Sequence, residues 1–248
     1  MSQLRVLDLF SGIGAFSLGL QRAGMRTVAF CEIDEFCRRV LAKHWPEVPC
    51  YDDICTLTAA RLRADGIAAD VVCGGFPCQP FSTASRGRRV ATDFWPEMDR
   101  TVGELEPTYV AFENVSEEAI AHAAECLRRY GYSTYHCRIS AAQAGADHKR
   151  DRWWGCAYPH DESELPRLLN AEVARLQELC SGLWGAENYA RAIRVPDGPP
   201  DRLDQARLKA LGNTVLPVVP EILGRSILAA RAERQRIAQS IPDLEVAA

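Results

Sequence analysis

Cys78 stands in Gly74-Gly75-Phe76-Pro77-Cys78-Gln79-Pro80, a stretch whose two Pro and two Gly forbid regular structure, directly after an apolar run and beside polar Gln79 and Ser82. A thiol at the end of a strand, inside a Pro-bracketed loop, is placed as a nucleophile would be. Glu113 ends another apolar run, so neighbouring strand ends could bring a carboxyl group to the same cleft. Taken singly, such an acid is as often the partner of a helix start. Arg150 and Arg152 alternate at strand spacing just before Trp153-Trp154, which lets both point to one side; a solvated charge run is the plain alternative. Near the start, Gly12 and Gly14 put backbone N–H groups and a helix N-terminus where a nucleotide could sit. The third glycine is Gly19, too far on for a dinucleotide fingerprint, so phosphate binding has weak support. Glu32 suits the two hydroxyls of a ribose, and Asp53 could meet an adenine amino group. Together these features suit an adenosine without a pyrophosphate.

Such residues need strands that end along one edge. The run 4–10 reads as a buried strand, followed by a tight turn at 11–14 and a helix closed by Gly24. Further strands are expected at 27–32, 48–52, 70–73, 109–113, 133–139 and 152–157, with helices at 34–44, 57–64, 94–105 and 117–130. This alternation predicts a doubly wound, mostly parallel α/β sheet with both faces covered. From residue 159 to 211 the rhythm is lost. A charged helix at 162–179 precedes Gly182-Leu183-Trp184-Gly185 and a turn-rich stretch at 195–200, which predicts a small irregular appendage. An amphipathic helix at 217–239 then returns to the main body. The expected organisation is a catalytic domain at 1–158, a short appendage at 159–211 and a returning segment at 212–248.

The composition sets limits on function. The chain has 248 residues, 47% hydrophobic and 25% charged, which excludes disorder, collagen and coiled coil. No apolar run reaches the ~18 residues of a membrane helix and the start lacks signal-peptide character, so a cytoplasmic protein with no membrane partner is expected. A net charge of −4 argues against a chain basic all over, although a local Arg patch remains open because 26 of the 29 basic residues are Arg. None of the ten cysteines forms a C-x-x-C pair, so no metal is expected, and nine of them are assigned to packing.

Read together, the motifs resemble those of DNA (cytosine-5) methyltransferases. Asp8-Leu9-Phe10-Ser11-Gly12-Ile13-Gly14 is similar to the family's first motif and Gly75-Phe76-Pro77-Cys78-Gln79-Pro80-Phe81-Ser82 to its nucleophile loop. Glu113-Asn114-Val115 resembles its acid motif, His148-Lys149-Arg150-Asp151-Arg152 its paired arginines and Gly212-Asn213-Thr214-Val215 its last motif. The resemblance implies a Rossmann-like fold with S-adenosyl-L-methionine as cofactor and S-adenosyl-L-homocysteine as product. By similarity Phe10 would pack on the adenine, Glu32 with Ile33 would hold the ribose, and Asp53 with Ile54 would border the adenine edge. Ser11, Gly12, Ile13, Gly14, Gly75, Pro77 and Phe94, with Asn213, Thr214 and Val215, would complete the cofactor site.

The implied chemistry explains the residue types. Cytosine C5 is a poor nucleophile until a thiolate, here Cys78, adds at C6. Glu113 at N3 and Arg152 at O2 would stabilise the charge that develops, with Arg150 as a buttress. The base must leave the duplex to be reached. Gln79, Ser82, Arg86, Arg88, Arg89, Arg194 and Arg202 are candidates for contact with double-stranded DNA, as are Trp184, Tyr189 and Arg191. The resemblance also implies a bacterial or phage modification enzyme, with a cognate restriction endonuclease as a candidate partner. Two departures stand out: His148 occupies a place where Gln is commoner in the family, and the target-recognition stretch is short. Transfer to tRNA, or a silent DNA-binding homologue, are the alternatives.

Overall fold

The computed structural model describes residues 2–77, 93–146, 150–180, 206, 209–211 and 213–240. In chain order these form β1 (Arg5–Leu9), α1 (Ala15–Arg22), β2 (Arg26–Cys31), α2 (Glu35–His44), β3 (Cys50–Tyr51), α3 (Ala59–Ala64) and β4 (Val71–Gly75). Then follow α4 (Trp95–Leu105), β5 (Tyr109–Asn114), α5 (Glu117–Arg128), β6 (Ser133–Ser140), β7 (Asp151–Tyr158), α6 (Leu165–Cys180) and α7 (Val218–Ser240). All seven expected strands form one sheet in the order β3-β2-β1-β4-β5-β7-β6. Every pair is parallel except those of β7, which runs antiparallel to β5 and β6. Strand order reverses between β1 and β4, so the crevice at their carboxyl ends is the natural ligand site of this topology.

Near-continuous apolar strands bury both faces, as a parallel sheet requires. On one face Leu7, Leu9, Val72, Val110 and Phe112 meet residues of α3, α4 and α5 such as Leu62, Met98, Val102, Ile120 and Leu127. On the other, Val6, Val71, Tyr109, Ala111 and Cys156 meet Phe16 and Leu20 of α1, Leu165 and Leu169 of α6, and Ile222, Leu223 and Ile227 of α7. Side chains cap the helix starts where sequence supplies them: Asp34 on α2, Thr58 on α3 and Ser116 on α5. α1 has no such cap at Gly14, and Asp8 of β1 substitutes, its carboxylate accepting from the N–H of Ser17 at 3.1 Å. Gly19 is needed for packing: a Cβ there would lie 2.2 Å from the carbonyl oxygen of Pro217, so α1 and α7 approach too closely for any side chain.

One boundary moves. The stretch 159–211 was expected to stand outside the main body, yet α6 lies on the sheet face, with Leu165 and Leu169 buried in its core. Its many charges hide an apolar stripe at i, i+4 spacing. Glu162, also buried, accepts the Tyr109 hydroxyl at 2.7 Å and is faced by Arg234 of α7 at 3.5 Å. The main body therefore extends through α6. Among the described residues no helix is long and apolar enough to cross a membrane.

Candidate active site

The β1–α1 turn is built from backbone that few residues accept. Phe10 and Gly12 have φ of 52° and 54°, and Gly14 has φ of 85°. Among the described residues nothing lies within 4 Å of where a Cβ of Gly12 would stand, so that backbone faces open space. Ser11 fastens the turn, its hydroxyl donating to the Asp8 carbonyl at 2.6 Å and to that of Cys31 at 3.2 Å. Glu32, at the tip of β2, accepts the N–H of Gly12 at 2.6 Å and that of Asp34 at 2.8 Å. Each carboxylate oxygen keeps a second lone pair for a hydroxyl donor. Ile33 beside it is 74% exposed. The half-buried rings of Phe10 and Phe94 lie 6.1 Å apart, and the Phe94 N–H donates to the Pro77 carbonyl at 3.2 Å, tying α4 to the end of the β4 loop.

Asp53 Oδ1 accepts the Cys55 N–H at 2.8 Å and so closes the turn after β3. Ile54 is buried, and its carbonyl, like that of Leu57, is held by the Arg100 guanidinium at 2.8 and 3.0 Å. Val215 packs against the core from the returning segment, and the Thr214 N–H donates to the Leu211 carbonyl at 3.4 Å. Asn213 is exposed.

At the adjoining strand ends, Glu113 of β5 lies opposite Gly75 of β4 in register. A Cβ on Gly75 would come within 2.7 Å of Glu113 Oε2, so the glycine provides the space that the carboxyl group occupies. Arg152 of β7 places Nε 2.7 Å from Glu113 Oε1. Burial pushes the Glu113 carboxyl up to about 7, against the opposing pull of Arg152 and Arg150. Arg150 is itself held below its ordinary value by burial and by Arg152, and its Nε is buried with no hydrogen-bond partner among the described residues. One carboxyl group poised near neutrality beside two guanidinium groups can donate a proton and stabilise developing negative charge.

Cys78, Gln79, Ser82, Arg86, Arg88, Arg89, Arg194 and Arg202 lie outside the described residues, as do Trp184, Tyr189, Arg191 and His148. Two residues quoted in motifs but given no role take one in the structure. Asn114 donates its side-chain amide to the Phe76 carbonyl at 2.9 Å, bracing the backbone that leads to Cys78. Asp8 is fully buried, accepts both the N–H and the hydroxyl of Ser17, and is pushed up to about 7, mainly by burial. The types Asn after a strand-end acid and Asp within a buried strand were the available signals. Of the nine described cysteines, all free, Cys55 is exposed rather than packed. Burial raises Cys31 to about 12 and Cys37 and Cys50 to about 11, which keeps them as thiols at neutral pH.

Sheet order, glycine turn and strand-end acid together define a doubly wound α/β domain with a nucleotide-type crevice and an acid–guanidinium centre beside it. The family model for C-5 cytosine-specific DNA methylase matches residues 4–193. The chain belongs to that family. It is 34% identical over 164 residues to the Type II methyltransferase M.HgiBI of Herpetosiphon aurantiacus, an overlap of 61% of this chain and 36% of that protein. It is 25% identical over 224 residues to the Type II methyltransferase M.MspI of Moraxella sp, covering 82% of this chain and 52% of the other. The chain thus spans about a third to a half of the length of these relatives. The S. pombe Dnmt2 methyltransferase shares the fold, with a TM-score of 0.54 at 16% identity over 96% of this chain and 99% of that one.

Proposed function

We propose that the chain transfers a methyl group from S-adenosylmethionine to C5 of cytosine in double-stranded DNA, through a covalent adduct of Cys78 with a flipped base. The observation that carries this reading is the Glu113–Arg152 pair seated in the space left by Gly75. The residues present fit the cofactor. Gly12 opens onto free space, Glu32 keeps acceptor capacity beside it, exposed Ile33 offers an apolar surface, and Phe10 and Phe94 stand at the crevice mouth. When bound, the cofactor supplies a methyl group on a positively charged sulfur. The relatives named Type II methyltransferases, at 25 to 34% identity, support the same class of reaction.

The chain's own residues would act in sequence. The Cys78 thiolate adds to C6 of cytosine, and the electron pair displaced from the C5–C6 bond spreads toward N3 and O2. Glu113, raised by burial so that it retains its proton near neutral pH, donates at N3, and Arg152 stabilises the charge at O2. After C5 takes the methyl group, a base takes the C5 proton, the C5–C6 double bond re-forms as Cys78 leaves as the thiolate, and the N3 proton returns to Glu113. Asn114 holds the Phe76 carbonyl so that the nucleophile loop starts from a fixed point. Gln79, Ser82, Arg86, Arg88, Arg89, Arg194 and Arg202 would contact the DNA, and a cognate restriction endonuclease would be the partner in a bacterial or phage host.

Duplex DNA carrying 5-fluorocytosine tests this reading, because fluorine at C5 cannot leave as a proton. With cofactor present, the protein should form a denaturation-resistant adduct that Cys78→Ser cannot form. Methyl transfer to tRNA but not to DNA would overturn the choice of substrate, and DNA binding without adduct would favour a silent homologue.

A further inference from the structure

Arg100, in the second turn of α4, directs its guanidinium onto the stretch of chain between β3 and α3. Nη2 donates to the carbonyls of Ile54 at 2.8 Å and Leu57 at 3.0 Å. Glu97 and Glu104, one turn to either side on the helix, hold the group in that direction: Nε donates to Glu97 Oε2 at 3.0 Å and Nη1 to Glu104 Oε1 at 2.7 Å. The other oxygen of Glu104 accepts the N–H of Ala59, the first residue of α3, at 2.8 Å. The stretch 53–59 is thus fastened to α4 at three backbone groups. That stretch borders the crevice. β3 runs parallel to β2 with Tyr51 opposite Cys31, and the Glu32 N–H donates to the Tyr51 carbonyl at 2.9 Å, so the chain leaving β3 passes beside Glu32 at the carboxyl edge of the sheet. Ile54 and Leu57 belong to the apolar cluster against which the half-buried rings of Phe10 and Phe94 also pack.

We propose that Arg100 is a positioning residue for the adenine end of the cofactor: it fixes the backbone of residues 53–57 against α4 and so sets where Asp53 meets the adenine amino group. The inference rests on the S-adenosylmethionine reading given above. Within the turn three amides close on Asp53, that of Cys55 on Oδ1 at 2.8 Å and those of Thr56 and Leu57 on its carbonyl at 3.3 and 3.1 Å. These bonds shape the turn, and the guanidinium ties the shaped turn to a helix that starts at Phe94. The Phe94 ring stands 6.1 Å from that of Phe10, so one side chain registers the Asp53 turn against the aromatic pair at the crevice mouth. The task suits Arg, whose planar fork can serve two carbonyls and two carboxylates at once, as the compact ammonium of Lys cannot.

The test compares Arg100→Met and Arg100→Lys with the wild type. Met keeps the apolar stem of the side chain and removes its donors, whereas Lys keeps the charge. In ligand-free protein, amide hydrogen exchange at Cys55, Thr56 and Leu57 should quicken about tenfold in Arg100→Met, as loss of charge-assisted hydrogen bonds implies. Exchange in α1 should not change. By calorimetry, S-adenosylhomocysteine should bind about tenfold more weakly to the same variant. S-inosylhomocysteine, which carries an oxygen in place of the adenine amino group, should weaken by less than about twofold, because it offers Asp53 no amino group to lose. Arg100→Lys should fall between the wild type and Arg100→Met in both measurements, and it carries the test where Arg100→Met does not fold. Unchanged exchange at the three amides would overturn the hold of Arg100 on the turn. Equal losses for the two ligands would refute its role at the adenine end, since a merely structural part weakens both alike. A wild-type protein that binds neither ligand would instead refute the function on which the proposal rests, and the exchange measurement would still decide whether Arg100 fixes the turn.

Discussion

Replacing Glu113 by Gln separates what this residue does for the reaction from what it costs the fold. The carboxyl is buried and raised from the ordinary 4.5 to about 7. A carboxyl with a higher pKa in the folded state binds its proton more tightly there than in the unfolded chain. Its contribution to stability is therefore fully present below about pH 4.5 and is lost as pH rises toward 7. At ~1.4 kcal/mol for each tenfold change in proton affinity, that rise corresponds to about 3 kcal/mol between the two ends of the window. Gln has no proton to lose. Urea titrations at pH 5 and pH 8 should then show a fall in stability on going to pH 8 that is smaller in Glu113→Gln by on the order of 2–3 kcal/mol. Turnover should meanwhile drop by about 100-fold or more, because the group meant to protonate N3 is gone. Equal pH dependence in the two proteins would refute the claim that this carboxyl is held protonated by burial.

Three further outcomes follow from contacts in the structure. Gly75→Ala puts a methyl group 2.7 Å from Glu113 Oε2 and must displace the carboxyl, so single-turnover methylation should slow by about 10- to 100-fold while circular dichroism remains that of the wild type. Leu169→Ala empties a buried site between α6, α7 and the sheet and should cost ~2–5 kcal/mol in urea unfolding; a change below ~1 kcal/mol would show that α6 does not belong to the main body. Asp8→Asn removes a second acid raised to about 7, so it should flatten the remaining loss of stability between pH 4 and pH 7, measured in the same titrations.

The sheet was readable because its strands are short apolar runs separated by turn residues, and a parallel core leaves few other arrangements for such runs. Position on the sheet was harder to read. Nothing in the local pattern of 152–157 says that β7 inserts between β5 and β6, since that depends on which neighbours Trp153 and Trp154 meet. α6 was misplaced because sequence reading weighed its charges, whereas Leu165 and Leu169 decide where it packs. At the site, Glu113 and Arg152 were singled out from strand ends and alternation, and the structure brings them within 2.7 Å. The engagement of Asp53 in its own turn, the bracing role of Asn114 and the hold of Arg100 on the chain after β3 were not readable. Each depends on backbone groups or on residues far apart in the chain.

Asp8 and Glu113 point to a common logic in how this sheet carries its site. Both are acids in otherwise apolar strands, both point to the face covered by α1, α6 and α7, and both are raised to about 7 by burial. A fold selected for stability alone would place neither there, because a buried carboxyl lacking full hydrogen bonding opposes folding. Asp8 has a structural use: it supplies the cap that Gly14 cannot give to α1, which lets the turn keep the open backbone around Gly12. Among the described residues each acid keeps one carboxylate oxygen without a well-directed hydrogen bond, but of the two it is Glu113 that faces the guanidinium groups of Arg152 and Arg150 and has no backbone donor to serve. A buried acid at a strand end beside two cations is placed to meet a ligand on which negative charge develops. This is why Glu113, rather than Asp8, is assigned to the chemistry, although burial shifts the two carboxyl groups alike.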